Sequence, residues 1–293
     1  MAIRMKKLNL NDPLYPSLLK YIPQPPKMLY FLGELPNDEI PKIAIVGTRK
    51  ATTEGKLIAK KIAYDLSEMG IIIVSGLALG IDAAAHQGAV RAQAKTIAVL
   101  ANGLDEIYPR QNANLAQEIL SLDGAIISEY PPGTPAYPEQ FLARNRIISG
   151  LSLATLIVEA PIHSGSLVTA RYALEQGREV FIVPGPVNHS NYEGSHFLLR
   201  EGGRLVTKAE DVIEDLNLGE KLKTKVESSK NDFGNDEITQ KILDSLGLKK
   251  GGLTIDEIIK NTNLEPQVVN QSLTFLIFKG RVKERLGKYS KIK

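Results

Sequence analysis

QFLARNRIISGLSLATLIVEAPIHSGSLVTAR, residues 140–171, is the segment around which the predicted fold is organised. Its middle, residues 154–158, is short, apolar and β-branched, which is typical of a strand buried on both faces of a parallel sheet. The small residues of His163–Ser166 follow, directly before apolar residues at helical spacing. A strand, a small-residue turn and a helix start together predict an anion site, because free N–H groups and the positive helix end point at the turn.

Two arginines precede that strand, in a segment whose apolar residues also recur at helical spacing. We expect Arg144 and Arg146 to face the same ligand as the turn of Ser164, Gly165 and Ser166. Cations neutralise phosphates and turn N–H groups donate to them, so this stretch predicts a site for a phosphate or a nucleic-acid backbone.

Strand and helix patterns alternate from Lys42 to about Leu216. The strand candidates are Ile43–Val46, Ile71–Ser75, Thr96–Leu100, Ala125–Ser128, Ala154–Glu159 and Glu179–Val183. This alternation predicts an α/β, Rossmann-like fold, in which a mostly parallel sheet carries helices on both faces. Ligands of such sheets bind at the carboxyl ends of the strands, and the polar turns of this chain occur there.

We predict four parts along the chain. Residues 1–40 are rich in proline and form a short extended segment, with at most a short helix at Leu14–Tyr21. Residues 41–216 form the Rossmann-like domain, and residues 217–236 are a polar linker. Residues 237–293 contain three helical patterns followed by an alternating hairpin, which is the outline of a winged-helix domain.

Composition excludes some classes of protein and leaves others open. The net charge of +3 is mildly basic and too weak to establish nucleic-acid binding by itself. The absence of cysteine excludes disulfides, thiolate metal sites and cysteine nucleophiles. The four histidines lack metal-ligand spacing, so we predict neither a metal nor a cofactor. We find no signal peptide and no apolar run that spans a membrane, and therefore expect a soluble cytoplasmic protein.

Turns after the earlier strands add candidate ligand contacts. Gly47-Thr48-Arg49 combines a glycine, a hydroxyl and a cation, although an ordinary turn with a surface arginine explains it equally well. Ser75-Gly76 permits close backbone approach, and Arg110 follows a rigid Tyr-Pro turn. Phe141 is the aromatic residue beside the basic set and a candidate for stacking on a base, although core packing is the commoner role.

Asp82 and His86 are four residues apart and share a helix face, so they form a candidate acid/base pair. A local structural role is the more common outcome for such a pair, and we favour that role here. In the C-terminal part, residues 279–293 are basic, whereas the exposed face of the third helix offers amide and hydroxyl side chains instead of cations. Partner binding and weak DNA binding both remain open for that part.

Taken together, these turns resemble the DprA/Smf family of DNA-processing proteins. The resemblance runs from about Leu29 to Leu216 and rests on segments in the family's order and spacing: Gly47-Thr48-Arg49, SGLALGIDAAAH, Tyr108-Pro109-Arg110, SEYPPG, FLARNRIISGLS, VEA, SGSLVTARYALEQGR and VPGPV. The N-terminal part departs from longer members, which carry a complete helical domain before the sheet.

The resemblance implies a non-enzymatic recombination mediator that binds single-stranded DNA, protects it and loads RecA onto it during natural transformation, working as a homodimer. The DNA-binding residues that we predict are Gly47, Thr48, Arg49, Ser75, Gly76, Arg110, Phe141, Arg144, Asn145, Arg146, Ser164, Gly165 and Ser166. The arginines are expected to neutralise phosphates, the glycine turns to donate N–H groups and Phe141 to stack on a base.

Two other functions compete with this one. The same sheet resembles lysine-decarboxylase-like phosphoribohydrolases, but their Pro-Gly-Gly-x-Gly-Thr-x-x-Glu turn is replaced here by APIHSGSLVTA, which lacks the double glycine and the acid. A nucleotide-sensing regulator with a winged-helix effector is the third candidate, and it predicts a strongly basic third helix that the sequence does not provide.

Overall fold

A computed structural model describes residues 4–219, 236–247, 252–264, 266–278, 281–285 and 287–291. Contacts between Cα atoms divide the chain into two units, Met1–Leu218 and Gly219–Lys293. Within the described ranges, no helix has the length and apolar character that a membrane span requires.

The first unit is built on a nine-stranded sheet with the order β1-β2-β6-β5-β4-β3-β7-β8-β9. The strands are β1 (Lys6–Asn9), β2 (Met28–Gly33), β3 (Lys42–Gly47), β4 (Ile72–Ser75), β5 (Thr96–Val99), β6 (Ala125–Ser128), β7 (Ala154–Val158), β8 (Glu179–Ile182) and β9 (Arg204–Leu205). Across the sheet, each neighbouring pair in the order β6-β5-β4-β3-β7-β8-β9 is parallel. The six strands predicted from the sequence are confirmed, with ends that differ by one residue at most.

Helices cover both faces of this sheet. They are α1 (Ser17–Lys20), α2 (Thr53–Glu68), α3 (Ile81–Arg91), α4 (Ala113–Ser121), α5 (Pro138–Gly150), α6 (Gly165–Glu175), α7 (Glu193–Arg200) and α8 (Ala209–Asp215). Successive side chains of a strand point to opposite faces. In β5, Ile97 and Val99 accordingly lie in one apolar core, while Ala98 lies in a second. The predicted Rossmann-like α/β fold is confirmed.

Residues 6–33 contain two strands that the sequence analysis does not predict. β1 pairs antiparallel with β2, and β2 pairs antiparallel with β6 through Tyr30↔Ser128. Leu8, Leu29 and Phe31 are buried in the sheet core, so this segment extends the main sheet. The short helix α1 lies within the predicted range Leu14–Tyr21. The domain division at residue 40 stays a prediction.

The strand order reverses direction beside β3. The chain moves outward from β3 through β4, β5 and β6, and then returns to place β7 on the other side of β3. Connections after β3 and β7 therefore diverge to opposite sides and leave a crevice at the carboxyl ends of these strands. This topological switch point positions the candidate site.

The second unit contains α9 (Asp236–Gly247), α10 (Ile255–Thr262), α11 (Pro266–Phe278) and an antiparallel hairpin of β10 (Val282–Arg285) and β11 (Lys288–Lys291). Ile242, Ile258 and Leu273 belong to its apolar core. The predicted three helices and hairpin are therefore present, but their assignment as a winged helix stays a prediction. Most of the predicted linker, residues 220–235, lies outside the described residues.

Candidate nucleic-acid interface

The turn between β3 and α2 carries the first set of predicted site residues. A Cβ atom at Gly47 would overlap the carbonyl oxygen of Val158 and crowd Ile81, so this glycine is required for packing between β3 and its neighbours. The Thr48 N–H donates to the carbonyl of Glu159 at 2.8 Å. Arg49 follows with an exposed side chain. The group that approaches Gly47 closely is therefore the protein's own backbone, at the Val158 carbonyl.

Glu159 lies fully buried beneath this turn and has a positive φ of 53°. Its carboxylate accepts the Thr52 N–H at 2.9 Å, the Thr52 hydroxyl, the Asn191 amide at 3.0 Å and the Tyr192 hydroxyl at 3.2 Å. Burial, with the neighbouring Glu159 charge as a second cause, raises the pKa of Tyr192 to about 12. Glu159 therefore anchors the start of α2, a role that the sequence analysis missed because it treats this residue only as the end of a strand.

A cavity of about 620 Å³ opens beside this turn, at the carboxyl ends of β3 and β7. The predicted residues that line it are Gly47, Thr48, Arg49, Phe141, Arg144, Asn145, Ser164, Gly165 and Ser166. We call this space the main cavity. The structure therefore brings together three predicted segments, and the first and the last of them lie more than a hundred residues apart along the chain.

Arg49 and two aromatic rings form one wall of the main cavity. The Arg49 guanidinium lies over the Phe141 ring, 4.7 Å from its centroid. The Tyr108 ring contacts Phe141 with a centroid separation of 5.5 Å, and Tyr108 remains 43% exposed. A cation and aromatic faces in one wall suit a ligand that has both phosphates and bases. Sequence analysis missed Tyr108 because it assigned the contact to Arg110, two residues further along.

Arg144 forms the inner wall and is only 4% exposed. Its guanidinium donates to the Gly76 carbonyl at 2.7 Å, to the Val99 carbonyl, and to the Asn145 side-chain oxygen at 3.2 Å. Burial lowers the pKa of Arg144 to about 10, while the Asp82 charge opposes that shift. We predicted a cation that faces the ligand, whereas the structure directs most of this guanidinium to protein carbonyls.

Asp82, which also lines the main cavity, accepts the Gly76 N–H at 3.0 Å and is 5% exposed. Burial raises the pKa of this carboxyl, and the Arg144 charge opposes the shift. His86, its suggested partner, is fully buried and contacts the Thr96 hydroxyl at 2.9 Å. Burial lowers the pKa of His86 to about 3, so it is neutral at physiological pH. The two side chains therefore have separate structural partners.

The start of α6 forms the opposite wall. Ser164 and Ser166 hydroxyls contact each other at 2.7 Å, and the Asn145 amide donates to the Gly165 carbonyl at 3.1 Å. The first amides of a helix have no acceptor within the helix, and the helix dipole makes this end positive. The predicted anion-binding turn thus faces the same cavity as Arg49.

Two predicted residues lie inside the protein. Ser75 has no exposed surface, and its hydroxyl donates to the Ile45 carbonyl at 2.6 Å. A side chain at Gly76 would overlap Arg144 and Asp82, so this glycine makes room for these two charged groups. Neither residue is in the lining of the main cavity, and the prediction that both contact the ligand stays a prediction.

Two predicted cations are occupied outside the main cavity. Arg110 pairs with Glu106 at 2.8 Å on the surface. Arg146 forms a two-pronged ion pair with Glu129, at 2.6 and 2.7 Å, and also donates to the Gln24 carbonyl. Helix residues two apart do not share a face, so Arg144 and Arg146 point to different sides of α5. Of these two arginines, Arg144 lines the main cavity and Arg146 does not, so the structure gives no support to the expectation that they face one ligand, which stays a prediction. Within the described ranges, no cluster of three His, Asp or Glu side chains is arranged to hold a metal.

Residues 6–217 match the family described as DNA recombination-mediator protein A. The chain is 45% identical to protein Smf of Escherichia coli (strain K12) over 209 residues, which make up 71% of this chain and 56% of that protein. This chain therefore spans little more than half of the length of that relative.

Two solved structures resemble the first unit. One is the X-ray structure of DNA processing protein A (DprA) from Streptococcus pneumoniae, with 39% identity, a TM-score of 0.67 and coverage of 72% of this chain and 74% of that one. The other concerns the single-stranded DNA binding mode of DNA processing protein A from Helicobacter pylori, with 34% identity, a TM-score of 0.66 and coverage of 73% and 96%. On this evidence, the chain belongs to the DNA recombination-mediator protein A family, the DprA/Smf family.

Proposed function

We propose that this chain binds single-stranded DNA in the main cavity, protects it and loads RecA onto it during natural transformation. The observation that carries the proposal is the wall in which Arg49 lies over Phe141, opposite the start of α6. Cations that follow the backbone and aromatic rings that stack on bases are the usual means of binding single strands without sequence preference. The Helicobacter pylori relative, described by its single-stranded DNA binding mode, supports the same ligand.

We infer that the site is not catalytic. Asp82 is the one carboxylate among the described residues that line the main cavity, and it is engaged by the Gly76 N–H. A general base has to reach the proton that it removes, and a buried carboxylate held in this way is poorly placed to do so. The phosphoribohydrolase alternative needs the glutamate of its Pro-Gly-Gly-x-Gly-Thr-x-x-Glu motif, and with Pro161 and Gly165 on the motif's proline and third glycine that position is Thr169 in this chain.

The direct test is the binding of a fluorescent oligo-dT strand of about 30 nucleotides, compared with a duplex of the same length. We expect at least about tenfold tighter binding to the single strand, because aromatic stacking needs unpaired bases. RecA loading is tested on single strands already covered by a single-strand-binding protein, where this chain is expected to shorten the lag in ATP hydrolysis by RecA. Equal affinity for duplex contradicts the DNA proposal, and an unchanged lag contradicts RecA loading alone.

We also infer a homodimer that uses the β9 end of the sheet. β9 is an edge strand, and exposed apolar side chains lie on the elements at this end: Leu174 on α6, Phe197 on α7 and Leu205 on β9 are 57%, 49% and 54% exposed. Exposed apolar groups of this size favour burial against a partner. Sedimentation should give twice the chain mass of 32.1 kDa for the wild type and a single chain mass for Phe197→Glu. A wild-type protein that sediments as one chain at about 10 µM contradicts the inference.

A further inference from the structure

A second groove, of about 400 Å³, lies between α2 and α3, and its use is not explained by the main cavity. Its walls are formed by the first half of α2 and the start of α3. The lining residues are Thr53, Lys56, Leu57 and Lys60 on α2, Gly80 directly before α3, and Ala83, Ala84 and Gln87 on α3. The helices approach closely at Gly88, where a Cβ atom would overlap the Lys60 carbonyl. Small α3 residues therefore leave an open channel along the cationic side of α2.

This groove is basic, and an aromatic side chain lies on α2 one helical turn beyond the last lysine of its lining. Neither Lys56 nor Lys60 forms an ion pair within the part of the chain that the structure describes. None of the described residues that line the groove is acidic. Tyr64 continues the four-residue spacing on α2, and the Arg91 guanidinium lies 5.6 Å from its ring centroid. Cations in a row with an aromatic ring beside them match the pattern that follows a single strand.

The groove begins where the Arg49 turn ends. Gly80 lies directly against this turn, since a Cβ atom there would overlap the Thr48 carbonyl and crowd the Arg49 carbonyl. Ala78 lines the main cavity and Gly80 lines the groove, so the two spaces lie on either side of one short loop. Arg49, whose side chain is exposed at this point, therefore marks the passage between them.

We propose that the groove between α2 and α3 binds the phosphates of the same single-stranded DNA after it leaves the main cavity. This inference rests on the proposed function of the main cavity. Lys56 and Lys60 then contact successive parts of the backbone, and the exposed Leu57 side chain covers the apolar face of a sugar or base. The groove lining on α2 runs from Thr53 to Lys60, about 10 Å at 1.5 Å per residue, which is long enough for more than one nucleotide.

The test compares the double variant Lys56→Ala/Lys60→Ala with Lys20→Ala/Lys61→Ala, which removes the same amount of charge elsewhere. Lys61 is on another side of α2, in an ion pair with Asp65. Each protein is titrated with oligo-dT of about 8 and about 30 nucleotides. For the groove variant we expect roughly 5- to 20-fold weaker binding of the long strand, and a salt slope shallower by about 1.4, or about 0.7 for each lost phosphate contact. Binding of the short strand should change by less than about twofold.

Three outcomes would overturn the inference. In the first, the groove variant binds the long strand as tightly as the wild type does. In the second, its affinities for the short and the long strand fall by the same factor. In the third, the control variant loses as much affinity as the groove variant. The first and third show that these two lysines make no specific contact, and the second shows that they act on the main cavity. If the wild type binds neither strand, the proposed function itself fails, which is a separate result from a failure of the groove.

Discussion

Replacing Arg49 with alanine is expected to weaken the binding of an oligo-dT strand of about 30 nucleotides by roughly 10- to 100-fold. Arg49 is exposed and lines the main cavity, and its guanidinium lies over Phe141. Its removal takes away a phosphate contact and also the partner that covers one face of the aromatic ring. The slope of log affinity against log salt should become shallower by about 0.7, the value for one phosphate contact on a single strand. Fluorescence anisotropy across a salt series measures both quantities.

Two further substitutions make this experiment specific. Arg49→Lys keeps the positive charge but loses the planar group that lies on the ring, so its affinity should fall between those of wild type and Arg49→Ala. Arg146→Ala is the matched control, because its guanidinium is held by Glu129 outside the main cavity. We expect that variant to bind within about twofold of wild type. An Arg49→Ala protein with wild-type affinity, or an equal loss in Arg146→Ala, excludes the site as we have described it.

The central strands were predictable because each is a short run of mostly apolar residues. β4 to β7 are buried at every position, and sequences buried on both faces leave few alternatives to a parallel strand. β1 is different, since only Leu8 of its four residues is buried. A strand this short at the edge of a sheet forms because it pairs with Met28–Gly33. The local sequence pattern does not indicate that pairing, because prolines lie nearby.

Sequence also predicted turns that together line the main cavity, but not the direction of each side chain. The turns converge because carboxyl ends of parallel strands meet at one edge of the sheet. Arg146 shows the limit: its chemistry suits a phosphate, yet helix geometry and Glu129 direct it elsewhere. Glu159 shows the opposite limit, since its four donors come from residues 52, 191 and 192, which only the fold brings together. Tertiary packing decides which residues of distant segments become hydrogen-bond or ion-pair partners, and local sequence patterns carry no information about that packing.

Replacing Arg144 with alanine is expected to lower the free energy of unfolding at pH 7 by about 2–5 kcal/mol, at about 1–3 kcal/mol for each buried acceptor that is left without a donor. The Gly76 and Val99 carbonyls lose their donor, and the buried Asp82 loses its neighbouring cation. Urea unfolding of wild type and variant measures the difference. A loss below about 1 kcal/mol contradicts the structural role that we assign to this guanidinium.

The pH dependence of that loss identifies Asp82 as its cause. Burial already raises the pKa of Asp82, and without Arg144 its pKa should rise further, so the folded variant binds a proton more readily than the unfolded chain. Stability is then recovered as the pH falls towards the raised pKa, and the variant's deficit relative to wild type should shrink by about 1 kcal/mol between pH 7 and pH 5. The matched control compares Asp82→Asn/Arg144→Ala with Asp82→Asn. Neither variant has a carboxyl at this position, so the deficit between them should not change over this range. If the stability deficit of Arg144→Ala also stays constant between pH 7 and pH 5, the lost stability comes from the unpaired carbonyls and not from the Asp82 carboxylate.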